Sequence, residues 1–212
     1  MDELIKPGYT RVTEPLQGFS KYDMIDPDVL ANAADRGTRV HKFCEMYAKG
    51  LWCVVDDDCI NYVDAFKKWF DDNVREVIFT ERRFYNDEYM ITGQIDILAV
   101  LKDGDRSVII DIKTTSSIGL SWSLQTAAYL FLLQGISFKS SGLTERECIK
   151  KVSNLYPIER RVAVNLPKTG SKVKVIEYTN YENDLRLYLN CLELYRYLNP
   201  PKKVKEIDFS VA

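Results

Sequence analysis

Apolar positions along the chain change their period several times, and each change marks an expected element. Between residues 27 and 49, Val40, Phe43, Cys44 and Tyr47 recur at helical spacing and predict a buried stripe. Asp26 fits the N-cap, Pro27 the first helical position and Gly50 the C-cap. A second helix is expected over 61–74, with Tyr62, Phe66, Trp69 and Phe70 on its core face. The period then falls to two. Residues 77–81, 89–101 and 107–114 predict three strands, the last two joined by an Asp103-Gly104 turn. Residues 121–133 return to a helix closed by Gly135, and a polar connector follows over 136–155, with a short helix near 145–152. Strands at 160–166 and 172–178, turned by 167–170, precede a last helix over 183–198 that Pro200-Pro201 stops. The order implies an α/β fold, a central mixed β-sheet flanked by helices, in one domain spanning 1–212. Residues 1–26, punctuated by Pro and Gly, read as an arm or lead-in to a core at 27–200.

Composition narrows the function classes. With 46% hydrophobic and 28% charged residues, a packed core in ordinary globular proportion is expected. No run of about 18 uncharged apolar residues suggests a membrane span. The start, MDELIKPGYT, lacks a basic region followed by an apolar run, so no signal peptide and a cytosolic (cytoplasmic) location are expected. Cys44, Cys53, Cys59, Cys148 and Cys191 are scattered without a C-x-x-C pair, which argues against a disulfide framework, a zinc site or an iron–sulfur cluster. A net charge of −2 counts against a protein that only coats DNA. Any grip on phosphates must come from a local basic patch, from metal ions or from a partner.

Charges where a sheet does not want them are the most informative feature. Ile109-Ile110-Asp111-Ile112-Lys113-Thr114 reads as a central strand, yet Asp111 and Lys113 interrupt it. Two apart, they share a face and lie roughly 7 Å apart. A solvent-facing strand would also carry such an alternation. The neighbouring strand weighs against that, because Gly93-Gln94-Ile95-Asp96-Ile97 places a second carboxylate in an apolar run. The Asp103-Gly104 turn folds the two strands side by side. Two converging carboxylates repel each other unless a cation joins them, and hard oxygen ligands favour Mg2+ or Mn2+. Gly93 fits a close approach by backbone or substrate. His41, the single histidine, lies at the edge of the first helix's apolar stripe, where structural histidines are also common. Glu81 could equally pair with Arg82 or Arg83. Gln125 and Tyr129, four apart, share one helix face that core packing alone could explain.

Taken in order, these residues resemble the PD-(D/E)XK nuclease superfamily, in particular its RecB-like branch. Gly37-x-x-x-His41, Glu81, Gly93-Gln-Ile-Asp96, Asp111-Ile-Lys113-Thr114 and Gln125-x-x-x-Tyr129 are similar to that branch's successive motifs. The resemblance runs from about residue 37 to residue 135. It implies a restriction-endonuclease-like core. His41, Asp96, Asp111 and the Ile112 carbonyl would hold one or two metal ions, Mg2+ or Mn2+. Lys113 would activate the attacking water or stabilise charge on the phosphate. Glu81 would complete the shell through water, and Gln125 and Tyr129 would position Lys113 or a DNA phosphate.

Length and motif order look similar to phage exonucleases of the lambda kind. The expected activity is therefore a metal-dependent DNA exonuclease serving recombination, repair or phage DNA processing. The alternatives are an endonuclease acting on flaps or single strands, and an inactive relative that binds nucleic acid. Expected partners are double- or single-stranded DNA and a recombination protein, with an oligomer left open. Arg36, Arg39, Arg82, Arg83, Arg160, Arg161 and Lys168 are candidates for gripping DNA, each competing with an ordinary surface role. Trp122 and Tyr85 could stack on bases, or pack in the core.

Overall fold

A computed structural model describes residues 5–19, 25–134, 158–170 and 172–200. Gly135, Cys148 and the connector expected at 136–155 lie outside these residues. The elements are β1 (Thr10–Arg11), α1 (Pro27–Ala48), α2 (Ile60–Asn73), β2 (Val74–Asn86), β3 (Ile91–Leu101), β4 (Ser107–Lys113), α3 (Trp122–Gln134), β5 (Ile158–Asn165), β6 (Lys174–Glu177) and α4 (Tyr181–Leu198). Asp26 caps α1 through its side chain, which accepts from the Asp28 amide at 2.9 Å, and Pro27 opens the helix. Gly50, at φ 69°, ends it by donating to the Tyr47 carbonyl.

The six strands form one mixed sheet. β3 is its centre, paired antiparallel to β2 on one edge. The other edge of β3 is shared by parallel β1 at Ile91 and Thr92 and antiparallel β4 at Ile97–Val100. β5 follows β4 in parallel, and β6 closes the row antiparallel to β5. Of the residues expected as an arm or a strand-like lead-in, Thr10–Arg11 form a strand: β1 joins the sheet, and Val12 and Leu16 are buried with the α3 side chains.

Helices cover both faces. α1 and α2 place Val40, Cys44, Tyr62 and Phe66 over Ile97, Ala99, Ile110, Ile112 and Val164. The opposite face is packed by Leu124, Ala128 and Leu132 of α3 and by Tyr188 and Leu192 of α4. α3 is buried nearly all round, which suits its almost unbroken apolar sequence. It also lies close to β3. A Cβ added at Gly93 would come within 2.8 Å of Tyr129 Cε1 and 2.9 Å of Leu132 Cδ1. The close approach expected at this glycine is therefore made by α3.

β2 runs well past the expected 77–81, because Arg82 to Asn86 continue pairing with β3 back to Ile91. As the outer partner of β3, β2 tolerates charged residues that a central strand would not. Its alternation also breaks. Phe79 and Phe84, five apart, pack against the same cluster, and so do Ile95 and Leu98 on the facing strand, three apart. The break centres on Glu81, held at φ 45°.

Two side chains expected at a DNA surface are instead structural. Arg161 is fully buried; it donates to Asp184 Oδ2 at 2.9 Å and to the Ser123 carbonyl at 3.0 Å, tying β5 to α4 and α3. Arg160 is held by both Glu177 oxygens, at 2.8 and 2.9 Å, and by Asp103 at 2.8 Å. Arg161→Ala strands Asp184 without its partner and is expected to lower unfolding stability by about 3 kcal/mol; a urea titration showing a loss below about 1 kcal/mol contradicts this. Gly93→Ala forces α3 away from β3 and is expected to cost about 1–3 kcal/mol on the same measurement.

Candidate active site

The site originates where two strands part. Pairing between β3 and β4 ends at Ile97 and Ile110. Continued, the register would set Asp96 opposite Asp111. Instead the Asp96 carboxylate fills the opening and accepts the Ile112 amide at 2.7 Å. This satisfies a backbone donor that has lost its ladder partner. The N–H and C=O of one strand residue point to the same side, so the Ile112 carbonyl faces the opening as well. A short run of apolar side chains thus delivers a carboxylate and a carbonyl into one gap.

Three groups converge there. On β2, Glu81 stands across from Asp96, between the pairs Thr80–Ile97 and Arg82–Ile95. From α1, His41 Nδ1 lies 3.5 Å from Asp96 Oδ2 and 3.9 Å from Glu81 Oε1. One ligand atom from each of the three lies within 4.8 Å of the others. The left-handed backbone at Glu81 is costly for a residue with a Cβ, and such strain concentrates at functional sites. Gly37, one turn before His41, lets α1 settle against the end of β4: a Cβ there would lie 3.2 Å from Thr114 Oγ1.

The electrostatics follow from burial. Burial alone would suppress the charge on His41, but Asp96, by charge and hydrogen bond, and Glu81 outweigh it and lift its pKa to about 10. Burial likewise opposes ionisation of Asp96, yet His41, Lys113 and the Ile112 amide keep its pKa below the usual carboxylate value. Asp111 is pushed up to about 6 by burial, against the pull of Lys113 and with the charge of Asp96 adding to it. Without another cation, a protonated His41 neutralises the carboxylates. His41 is 30% exposed, so solvent and ligands reach it.

Asp111 stands apart from the trio. Its Oδ2 is 2.8 Å from Lys113 Nζ but out of line for a hydrogen bond, and that oxygen has no other donor. Lys113 Nζ donates to Gln125 Oε1 at 2.8 Å. Gln125 Nε2 in turn donates to the Tyr129 hydroxyl at 2.8 Å and lies 3.4 Å from Asp111 Oδ1. The face shared by Gln125 and Tyr129 therefore clamps the Lys113 ammonium. Trp122, expected as a base-stacking candidate, is buried, with Lys113 Nζ 5.9 Å from its ring centroid.

Sequence reasoning missed Gln94 as a participant. It donates to Glu81 Oε2 at 2.6 Å and accepts from Arg83 Nη2 at 2.8 Å. Its place between Gly93 and Asp96 on a strand edge was the available signal. Among the arginines expected to grip DNA, Arg39 is committed elsewhere, to Asp35, Asp56 and Asp58 at 2.7–2.9 Å. That cation also neutralises the second acidic grouping, Asp56, Asp58 and Cys59. Arg36 and Arg82 lie over aromatic rings, Tyr62 for the first and Phe79 and Phe84 for the second. Tyr85 packs edge-on against Tyr9, while Lys168 is exposed.

The donor set fits a divalent metal. Two carboxylates and an imidazole lie within reach of one point, and Asp111 keeps a buried carboxylate oxygen without a hydrogen-bond donor. No helix of the described residues is long and apolar enough to cross a membrane.

No curated protein matches the chain. A solved structure described as "Crystal structure of SSO0001" is similar over 91% of this chain and 79% of that one, at 16% identity and a TM-score of 0.41, too loose a likeness to inform the site. A family profile described as the PD-(D/E)XK nuclease superfamily matches residues 59–156. That stretch holds Glu81, Asp96, Asp111, Lys113, Gln125 and Tyr129, and its similarity to the PD-(D/E)XK nuclease superfamily points to metal-dependent cleavage of nucleic acid.

Proposed function

We propose that the chain is a metal-dependent deoxyribonuclease of the RecB-like branch, cutting DNA phosphodiesters from an end in recombination, repair or phage DNA processing. One observation carries the reading: His41, Glu81 and Asp96 meet within 4.8 Å, beside a lysine held by Gln125. His41, Glu81, Asp96, Asp111 and the Ile112 carbonyl would hold one or two Mg2+ or Mn2+ ions. The ion, when bound, supplies Lewis-acid polarisation of the scissile phosphate and of the attacking water.

The chain's own residues do the rest. Asp96 is fixed by the Ile112 amide through Oδ2, the same oxygen that lies 3.5 Å from His41 Nδ1 in the gap. Glu81 is oriented by Gln94. Lys113 stabilises negative charge developing on the phosphoryl oxygens and orients the attacking water. Gln125 accepts from its ammonium, which keeps that group at the gap. Tyr129, whose pKa burial lifts well above the ordinary phenol value, stays neutral and holds the amide of Gln125. The similarity of the motif order to phage exonucleases supports end-directed cutting.

Lys113→Ala and Asp96→Ala are each expected to lower Mg2+-dependent cleavage of end-labelled DNA by at least roughly a hundredfold, with folding retained. Gln125→Leu is expected to cost roughly 10–100-fold. Full activity of Asp96→Ala, or of the wild type in excess chelator, removes the metal mechanism. Degradation of a closed circle would replace the end-directed reading with an endonuclease.

A pH dependence follows from His41. Its folded-state pKa, about 10, lies above the ordinary value. In chelator its contribution to stability is complete below pH of about 6.5 and fades as pH rises through the folded value. Metal ligation needs the neutral imidazole, so Mn2+ added to weakly buffered protein between these two pH values should release protons. His41→Asn should abolish both the release and the alkaline decline in urea midpoint. An unchanged proton release would take His41 out of the site.

A further inference from the structure

A second polar hollow adjoins the carboxylate site. It encloses about 260 Å3 between β1, the start of β3 and the far end of β2. Arg11, Thr13, Arg83, Gln94 and Tyr129 line it, and among the described residues no acidic side chain does. That volume is well above the roughly 30 Å3 share of one water, and it accommodates a phosphate group. The Arg11 guanidinium makes no ion pair among the described residues, and nearby Glu14 is taken up by the Arg11 backbone N–H at 3.1 Å.

Arg83 donates from Nη2 to Gln94, but its buried Nε has no acceptor. A buried donor without a partner is expensive, and a guanidinium fork is suited to two oxygens of one phosphate. The hollow also shares walls with the carboxylate site. Gln94 donates to Glu81 Oε2 at 2.6 Å, and Tyr129 accepts from Gln125. An anion held there would lie beside the reacting phosphate, not at it.

We infer that this hollow is a second phosphate subsite, in which Arg11 and Arg83 hold a phosphate of the substrate strand other than the one being cut. The inference rests on the nuclease reading for its substrate and adds a place where the strand is gripped. The occupant is either an internal phosphodiester or a terminal phosphate monoester, and the chemistry of recognition is the same for both. Two basic side chains, of which Arg83 is hydrogen-bonded to Gln94, would let a chain of net charge −2 grip a polyanion locally.

The test uses the full chain with Ca2+ as the only divalent ion. Fluorescence anisotropy follows binding of a short single-stranded oligodeoxynucleotide whose ends are either phosphorylated or free. Arg11 is exposed on a two-residue strand, so Arg11→Gln should leave the melting temperature unchanged. It is expected to weaken binding roughly tenfold and to flatten the logarithmic salt dependence by about 0.7. Arg11→Lys should restore the salt slope but only part of the affinity. An Arg11→Gln effect confined to phosphorylated ends assigns a terminal monoester; an effect independent of the ends assigns an internal diester. Equal affinity of wild type and Arg11→Gln for both oligonucleotides, or no binding by the wild type, overturns the subsite. Metal-dependent cleavage measured in parallel separates the two claims. Cleavage with unaltered Arg11→Gln binding removes the subsite alone, whereas weakened binding with no cleavage keeps the subsite and removes the nuclease reading.

Discussion

Three carboxylates and a lysine sit where the two central strands of the sheet come apart, and the charge they bring must be compensated. Asp96 and Asp111 are buried, and burial opposes ionisation of both; its partners hold Asp96 below the usual carboxylate value, whereas Asp111 is pushed up to about 6. Single hydrogen bonds do not remove that cost. The chain compensates with the Ile112 amide, the Lys113 ammonium and a protonated His41. In the proposed reading, a divalent ion in place of the imidazolium proton would supply further positive charge to the same groups.

The apolar framework explains why the arrangement holds. Ile97 and Ile110 pair and are packed under α1 and α2, so the strands separate only beyond them. On the other face α3 is drawn against Gly93, which brings Gln125 and Tyr129 to Lys113. The strained backbone at Glu81 and the shifted alternation around it turn a carboxylate inward from an outer strand. Such strain is retained where the surrounding packing determines it. The buried Arg161–Asp184 pair fixes α4 to β5 without contributing to the cleft.

Much of this was legible in the sequence. Element order followed from the switch between helical and strand periods, and the Asp26-Pro27 start of α1 from capping chemistry. Asp96, Asp111 and Lys113 were conspicuous because charged residues interrupt apolar strands. What escaped reading has physical causes. The length of β2 was hidden because its alternation slips at Glu81, which a strict period cannot follow. Glu81 was expected as a supplement to the shell, and its left-handed backbone sets its carboxylate within 4.8 Å of ligand atoms of His41 and Asp96. Arg39, Arg160 and Arg161 looked like surface cations, but apart from Asp35, one turn before Arg39, their partners lie far along the chain or across strands, where spacing carries no signal. The first residues had too short a strand to show a period, although Arg11 and Val12 join the sheet edge and core.

The central claim is that one divalent ion is shared by the groups at the parted strands. Anomalous diffraction from crystals grown with Mn2+ tests it most directly. The account predicts a single strong peak, or a close pair, within coordinating distance of His41, Glu81 and Asp96. A peak only at Asp56 and Asp58, or no peak at Mn2+ concentrations that saturate activity, would contradict it.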